Sequence, residues 1–164
     1  TSDDRVALIC LNAVLGGGMS SRLFQSVREK QGLAYAVYSY LSCYKDLGVI
    51  CVYAGVNPQK RKTSYDCLIS EIRNFAESGI TANELARVKE QIKGSTVLSR
   101  ENMASIMISQ GKRLLLTGEP FDIDRELDSV SKLELDRVNE LAAKYFSPDV
   151  FASAIVGKNV KPLD

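Results

Sequence analysis

The chain opens on an apolar run, Val6 to Leu15, interrupted only by Asn12. A helix carrying this run is apolar nearly all round and so buried, with Ser2 as N-cap and Gly16 as its stop; a strand is also compatible with the pattern. Ser20 or Ser21 can cap a second helix with Leu23, Phe24 and Val27 on one face, stopping near Gly32, although the glutamate of a capping box is missing. From Leu33 to Tyr44 the period changes to two. Leu33, Tyr35, Val37, Ser39 and Leu41 fall on one side, and Tyr38, Tyr40 and Tyr44 on the other. A turn at Lys45-Asp46-Leu47-Gly48 and a nearly continuous apolar run from Val49 to Val56 complete a predicted hairpin, whose second strand reads as covered on both faces.

The remainder has helical spacing. Asn57-Pro58 supplies an N-cap and an N1 proline for a helix through Tyr65, Leu68, Ile69, Ile72, Phe75 and Ala76 to Gly79. Thr81-Ala82-Asn83-Glu84 is a capping box opening a helix through Leu85, Val88 and Ile92. The pattern continues, with a break near Ser99 to Asn102, through Met103, Ile106, Met107 and Leu114 to Gly118, and the methionine stripe reads as core. Ser131-Lys132-Leu133-Glu134 is a second capping box, starting a last helix that must end before Pro148, and Val150 to Val156 reads as a final strand. The order of elements predicts an α+β fold: a two-layer sandwich of a mostly antiparallel or mixed sheet with helices packed on one face. Residues 1–164 read as a single domain, and three strands are few for a sheet, so one or two strands are expected to precede Thr1.

Composition narrows the function. A length of 164 residues with 45% hydrophobic content suits one buried core, and a net charge of +1 gives no field that would drive the chain onto nucleic acid or an anionic membrane. The basic run Lys60-Arg61-Lys62 reads as a solvated helix face, and no apolar stretch near the start is long enough to span a membrane or is preceded by a basic signal-peptide region. Cys10, Cys43, Cys51 and Cys67 sit singly in apolar patterns, which points to reduced, packed thiols and a cytoplasmic setting. The sequence contains no histidine, which excludes a Ser-His-Asp or Cys-His site within the chain and any histidine-ligated zinc.

The candidate chemistry lies in LGGGMSSRLFQSVREKQGLAYAVYSY, residues 15–40. A glycine-rich loop entering a helix often holds phosphate. Here Gly16 and Gly18 lack the third glycine of a dinucleotide loop, and Gly18 is followed by Met19 where a Walker loop needs lysine. The glycines can equally serve a tight connection and close packing. Helical geometry puts Arg28 at the margin of the Leu23, Phe24 and Val27 stripe, and Tyr35 begins the strand beyond the Gly32 turn. A guanidinium and a phenol brought to one corner are donors suited to a carbonyl or an oxyanion. Taken alone, a surface arginine and a core phenol explain the pair as well.

This run, with its glycine loop, R-E-K-Q-G-L-A-Y spacing and following strands, resembles the second, C-terminal half of pitrilysin/insulinase-type zinc metallopeptidases, in the bacterial branch resembling mitochondrial processing peptidase. The resemblance covers essentially the whole chain. It implies two similar halves facing each other around a chamber, the first with an H-x-x-E-H zinc motif. The second half, without metal, contributes an arginine and a tyrosine seven residues apart, which Arg28 and Tyr35 match. On that reading this chain holds no cofactor, and zinc sits in an N-terminal half or a partner subunit, where it polarises a water and a peptide carbonyl. Arg28 and Tyr35 would donate to the oxyanion or a neighbouring carbonyl, while Gly16, Gly17, Gly18, Met19 and Ser20 would line the chamber for a peptide substrate. The chain alone would be inactive, and unpaired strands would favour its missing half or a homo-oligomer. The alternatives are a structural subunit of the same family and an anion-binding module built on the glycine loop.

Overall fold

The computed structural model describes residues 2–44, 47–147 and 151–158. The run that is apolar all round forms helix α1 (Ser2–Gly16) and not a strand. It is the centre of the molecule: Cys10, Leu11, Val14 and Leu15 are buried, and α1 packs on the hairpin and on three of the later helices. Strands β1 (Ala34–Cys43) and β2 (Gly48–Val56) pair antiparallel, with Tyr38 opposite Tyr53 and Ser39 opposite Val52. Residues 45 and 46 of the expected turn lie outside the described residues. Val37 and Ser39 face α1 and are buried, and the Ser39 hydroxyl donates to the Asn12 carbonyl across that contact at 3.3 Å.

The sheet is covered on one face only, which corrects the expectation for β2. Val49 and Tyr53 are exposed, because α1 packs on the hairpin from the opposite side. The final strand is a second correction. Val150 lies outside the described residues, and Phe151 to Val156 has no regular structure. A strand needs a neighbour to complete its ladder, and among the described residues the two strands of the hairpin are the whole sheet.

The helical signals are met in turn. The Asn57 side chain accepts from the Gln59 N–H and starts the 3₁₀ turn Pro58–Lys60, which runs into α2 (Arg61–Ser78). Helix α3 (Ala82–Leu98) carries both halves of the Thr81/Glu84 capping box. The break falls at the 3₁₀ turn Ser99–Glu101, and α4 (Met103–Thr117) follows, capped by Asn102 and ended by left-handed Gly118 at φ 75°. Sequence reading missed α5 (Ile123–Ser131), capped by Asp122. Ser131 therefore ends a helix and starts none: its hydroxyl donates back to the Leu127 carbonyl at 2.8 Å, and Glu134 precedes α6 (Leu135–Tyr145) without a side-chain cap bond. The methionine stripe is not core, since Met103 and Met107 are exposed. All four cysteines are free, but only Cys10 is buried and Cys43 is exposed, so the expectation of packed thiols fails for Cys43.

One clamp fixes the glycine loop's helix to the rest. The Arg22 guanidinium donates twice to Glu84, from Nε at 2.8 Å and from Nη2 at 2.7 Å, and lies over the Phe75 ring. This bidentate pair, with the Thr81 cap on the same carboxylate, holds Glu84 well below the usual range, at about 2.

Candidate functional site

Helix α1 ends where it meets the β1 backbone, and Gly16 is there because nothing larger fits. A Cβ at Gly16 would stand 2.4 Å from the Ser39 backbone nitrogen. A Cβ at Gly17 would stand 2.6 Å from the Ala13 Cα of its own helix, whereas one at Gly18 would meet open space. The loop carbonyls are pinned: Gly18 accepts from the Ser21 N–H at 3.0 Å, Met19 from Gln25 at 2.8 Å and Ser20 from Arg87 at 3.4 Å. Ser21 stands at the start of the next helix, yet its buried Oγ has no hydrogen-bond partner, so its hydroxyl makes no cap bond.

That helix turns into a π-helix over Phe24–Lys30. The wider turn ends in a bond from the Leu33 N–H to the Val27 carbonyl at 3.0 Å, and Gly32 takes the left-handed conformation at φ 58° that lets the chain reverse into β1. Arg28 leaves this helix beside the stripe, as the sequence predicts, with its guanidinium 4.8 Å from the centre of the Phe24 ring and half its side chain in solvent.

Tyr35 departs from the simple alternation. A β-bulge between Ala34 and Ala36 sets one extra residue of β1 against β2, and Tyr35 is that residue. Its ring swings onto the outer face, 71% exposed, instead of facing inward with Val37. There it lies over Gly55, whose missing Cβ would stand 2.4 Å from the ring carbon Cζ. The Tyr35 phenol beside Tyr53 raises the pKa of Tyr53. Tyr53 in turn stacks on Tyr38, with ring centres 5.0 Å apart. Tyr35 and Tyr38 thus share one face, where the plain period of two had separated them.

An open groove of about 330 Å³ runs between the loop and the sheet, lined by Gly16 to Met19, Phe24, Val37, Tyr38 and Ser39. Arg28 and Tyr35 are not in contact with each other. Arg28 reaches this groove through one residue, Phe24, and Tyr35 only through two, Tyr53 and Tyr38. The arrangement offers a guanidinium and a phenol at the borders of an apolar, backbone-lined trough. Sequence reading missed Phe24, Tyr38, Tyr53 and Gly55 as site residues. A hairpin register counted from the turn would have set Tyr53 opposite Tyr38, but nothing in the sequence marks the bulge.

Residues 1–92 match the family model described as the peptidase M16 inactive domain. The chain is 43% identical over 149 residues to the zinc protease YmxG of Bacillus subtilis, covering 91% of this chain and 36% of that protein. The chain belongs to the peptidase M16 family. A zinc protease of Streptomyces coelicolor is likewise 43% identical, over 87% of this chain and 31% of its own length. Among solved structures, the peptidase M16 inactive domain from Pseudomonas fluorescens superposes with a TM-score of 0.75 at 22% identity, over 86% of this chain and 34% of that one. A protease from Helicobacter pylori gives 0.77 at 23%, over 87% and 35%. The chain therefore spans about a third of the length of these relatives.

Among its described residues the M16 inactive domain has no donor set that fits zinc. It contains no histidine, and among the described residues no three cysteines, aspartates or glutamates converge. Cys67 accepts a hydrogen bond from Gln31 at 3.0 Å, and burial is the main cause that raises its pKa. Cys10, buried against α1's neighbours, is pushed up to about 11. These are poor thiolates.

Proposed function

We propose that this M16 inactive domain is the non-zinc half of a zinc-dependent endopeptidase, closing a substrate chamber over a peptide. In this reading the trough between Gly16–Ser20 and β1 receives an extended segment of substrate, and Arg28 and Tyr35 donate hydrogen bonds to the oxyanion or to a neighbouring substrate carbonyl. Zinc is held by the other half, on the same chain or on a partner subunit. No proton leaves Arg28 or Tyr35: both act as donors in place, which is how charge developing on an oxygen is stabilised in a water-poor site.

The observation that supports this most is the bulge at Tyr35. A plain strand would bury the phenol against α1; the extra residue turns it to the outer face, on the side of Tyr38. There the exposed phenol lies over Gly55, with its hydroxyl open to an acceptor on the outer face.

The test uses the complete zinc-containing protein. Arg28→Ala and Tyr35→Phe are each expected to lower kcat about 100- to 1000-fold with zinc content and Tm unchanged. The double variant should fall short of the product if both serve one oxygen. Near-normal turnover in both single variants overturns the catalytic role and leaves a structural half.

A further inference from the structure

The groove between the glycine loop and β1 suits a ring. Its side-chain walls are Met19, Phe24, Val37, Tyr38 and Ser39, none of them charged, and the rest of its lining is Gly16 to Gly18. Phe24 and Tyr38 are aromatic. Met19, 75% exposed, adds a thioether, which packs well at the edge of a ring. Ser39 is already committed, because its hydroxyl donates to the Asn12 carbonyl. The Tyr38 ring is braced by two neighbours, stacked on Tyr53 with centres 5.0 Å apart and tilted against Tyr40 at 6.3 Å. A wall fixed in this way loses little freedom when a ligand packs on it.

Charge narrows the occupant. No carboxylate lines the groove, and neither strand of the hairpin carries a charged residue. A lysine or arginine of a peptide would therefore enter unpaired and meet the field of Arg28, whose guanidinium lies over the Phe24 ring at the border. An aspartate or glutamate would be drawn out of the groove to that same guanidinium. An aliphatic side chain fits, but only a ring gains the edge and stacking contacts that aromatic walls offer.

Position follows from the strand. Tyr35 and Tyr38 are both in β1, three residues and so about 10 Å apart at the rise of a strand. An extended peptide advances about 3.3–3.6 Å per residue. We propose that the groove is a remote selectivity pocket for an aromatic side chain of the peptide, about three residues from the bond that is cut, with Tyr38 as the residue that determines it. The inference rests on the reading above, in which the trough receives the substrate and Tyr35 meets its carbonyl.

The complete zinc-containing protein tests this with internally quenched peptides in which one phenylalanine is moved, position by position, through a fixed sequence. At a position two to four residues from the cleaved bond, kcat/KM should favour phenylalanine over alanine by at least about tenfold. Tyr38→Phe should keep that preference, and Tyr38→Ala should lose most of it. Gly18→Leu gives a second reading that leaves the hairpin intact. Gly18 lines the groove, is not left-handed, and a Cβ there meets nothing within 4 Å, so the added side chain takes up groove space and should also remove the preference. A peptide carrying p-benzoyl-phenylalanine at the preferred position should, on irradiation, label Met19, Phe24 or Tyr38. A preference confined to the two residues flanking the bond overturns the pocket, as does one that survives Tyr38→Ala or Gly18→Leu, or labelling only elsewhere. Full turnover in Arg28→Ala and Tyr35→Phe, with the preference lost in Tyr38→Ala, would sink the two donors and keep the pocket, and the reverse result would do the opposite.

Discussion

Gly55→Ala isolates what the bulge does for Tyr35. The new methyl would stand 2.4 Å from Cζ, 2.6 Å from the hydroxyl and 2.7 Å from Cε2 of Tyr35. Carbon atoms settle about 3.5–4.0 Å apart, so the ring must move by about 1 Å. What moves is the far end of an exposed side chain, and alanine is no worse than glycine in a strand. The stability cost should stay below about 0.5 kcal/mol, about 1–2 °C in Tm for a domain of this size. A donor displaced by about 1 Å from its acceptor can lose about 100-fold in rate. Gly55→Ala in the complete zinc-containing protein should therefore approach the kcat of Tyr35→Phe while melting like the parent.

The control is Gly94→Ala, where a methyl meets nothing within 4 Å. Gly94 is inside α3, so this change should stabilise by up to about 1 kcal/mol and leave kcat alone. Thermal melts and initial rates on one internally quenched peptide read both variants. If Gly55→Ala keeps full turnover while Tyr35→Phe loses it, the cradle does not position the ring and the bulge serves the strand alone.

Other expectations follow from single contacts. Gly16→Ala should cost at least about 1–3 kcal/mol, read as a lowered Tm, because its methyl would meet the Ser39 backbone nitrogen at 2.4 Å and backbone cannot step aside as a ring can. Glu84 has a folded pKa lowered from the ordinary 4.5 to about 2, so its pairing with Arg22 stabilises fully above about pH 4.5 and is lost as pH falls toward 2. That drop corresponds to at most about 3 kcal/mol, discounted to about 1–2 kcal/mol for partial exposure; Glu84→Gln should lower stability at pH 7 by that much and leave it nearly unchanged at pH 2. Cys10, with its pKa pushed up to about 11 by burial, should resist alkylation at pH 7.5 while exposed Cys43 reacts, and equal labelling would show that α1 opens readily.

Local signals were legible where they act locally. The Thr81 capping box, the Asn57 cap and the Gly118 stop each concern bonds within four residues, and each stands as the sequence indicates. Ser131 has the same spelling as a cap and yet ends α5, because its hydroxyl has a nearer acceptor in the Leu127 carbonyl. The methionines of α4 have helical spacing, but spacing says only that one face is apolar and not which neighbour covers it. The failed strand at 151–156 is the same problem in a sheet, where an apolar run has no meaning without an edge to join.

The surroundings of Arg28 were legible in the sequence and those of Tyr35 were not. Arg28 follows the helix stripe and reaches Phe24 because its placement depends on one element. Tyr35 depends on two strands. A bulge shifts register by one, and a shift of one moves a side chain to the other face. The period of two therefore placed Tyr35 with Val37, and the extra residue placed it with Tyr38 and Tyr53. Two features of the partner strand make that outward position stable: Gly55 leaves room for the ring, and the Tyr53 phenol stands beside it. Neither is near Tyr35 in sequence. Remove either and the inward rotamer against α1 still finds no space, since Val37 and Ser39 already fill that face. Tyr53→Phe should accordingly leave Tyr35 outside but unanchored. Its kcat should fall less than that of Tyr35→Phe, with KM little changed, and a loss equal to that of Tyr35→Phe would mean that Tyr53 itself touches the substrate.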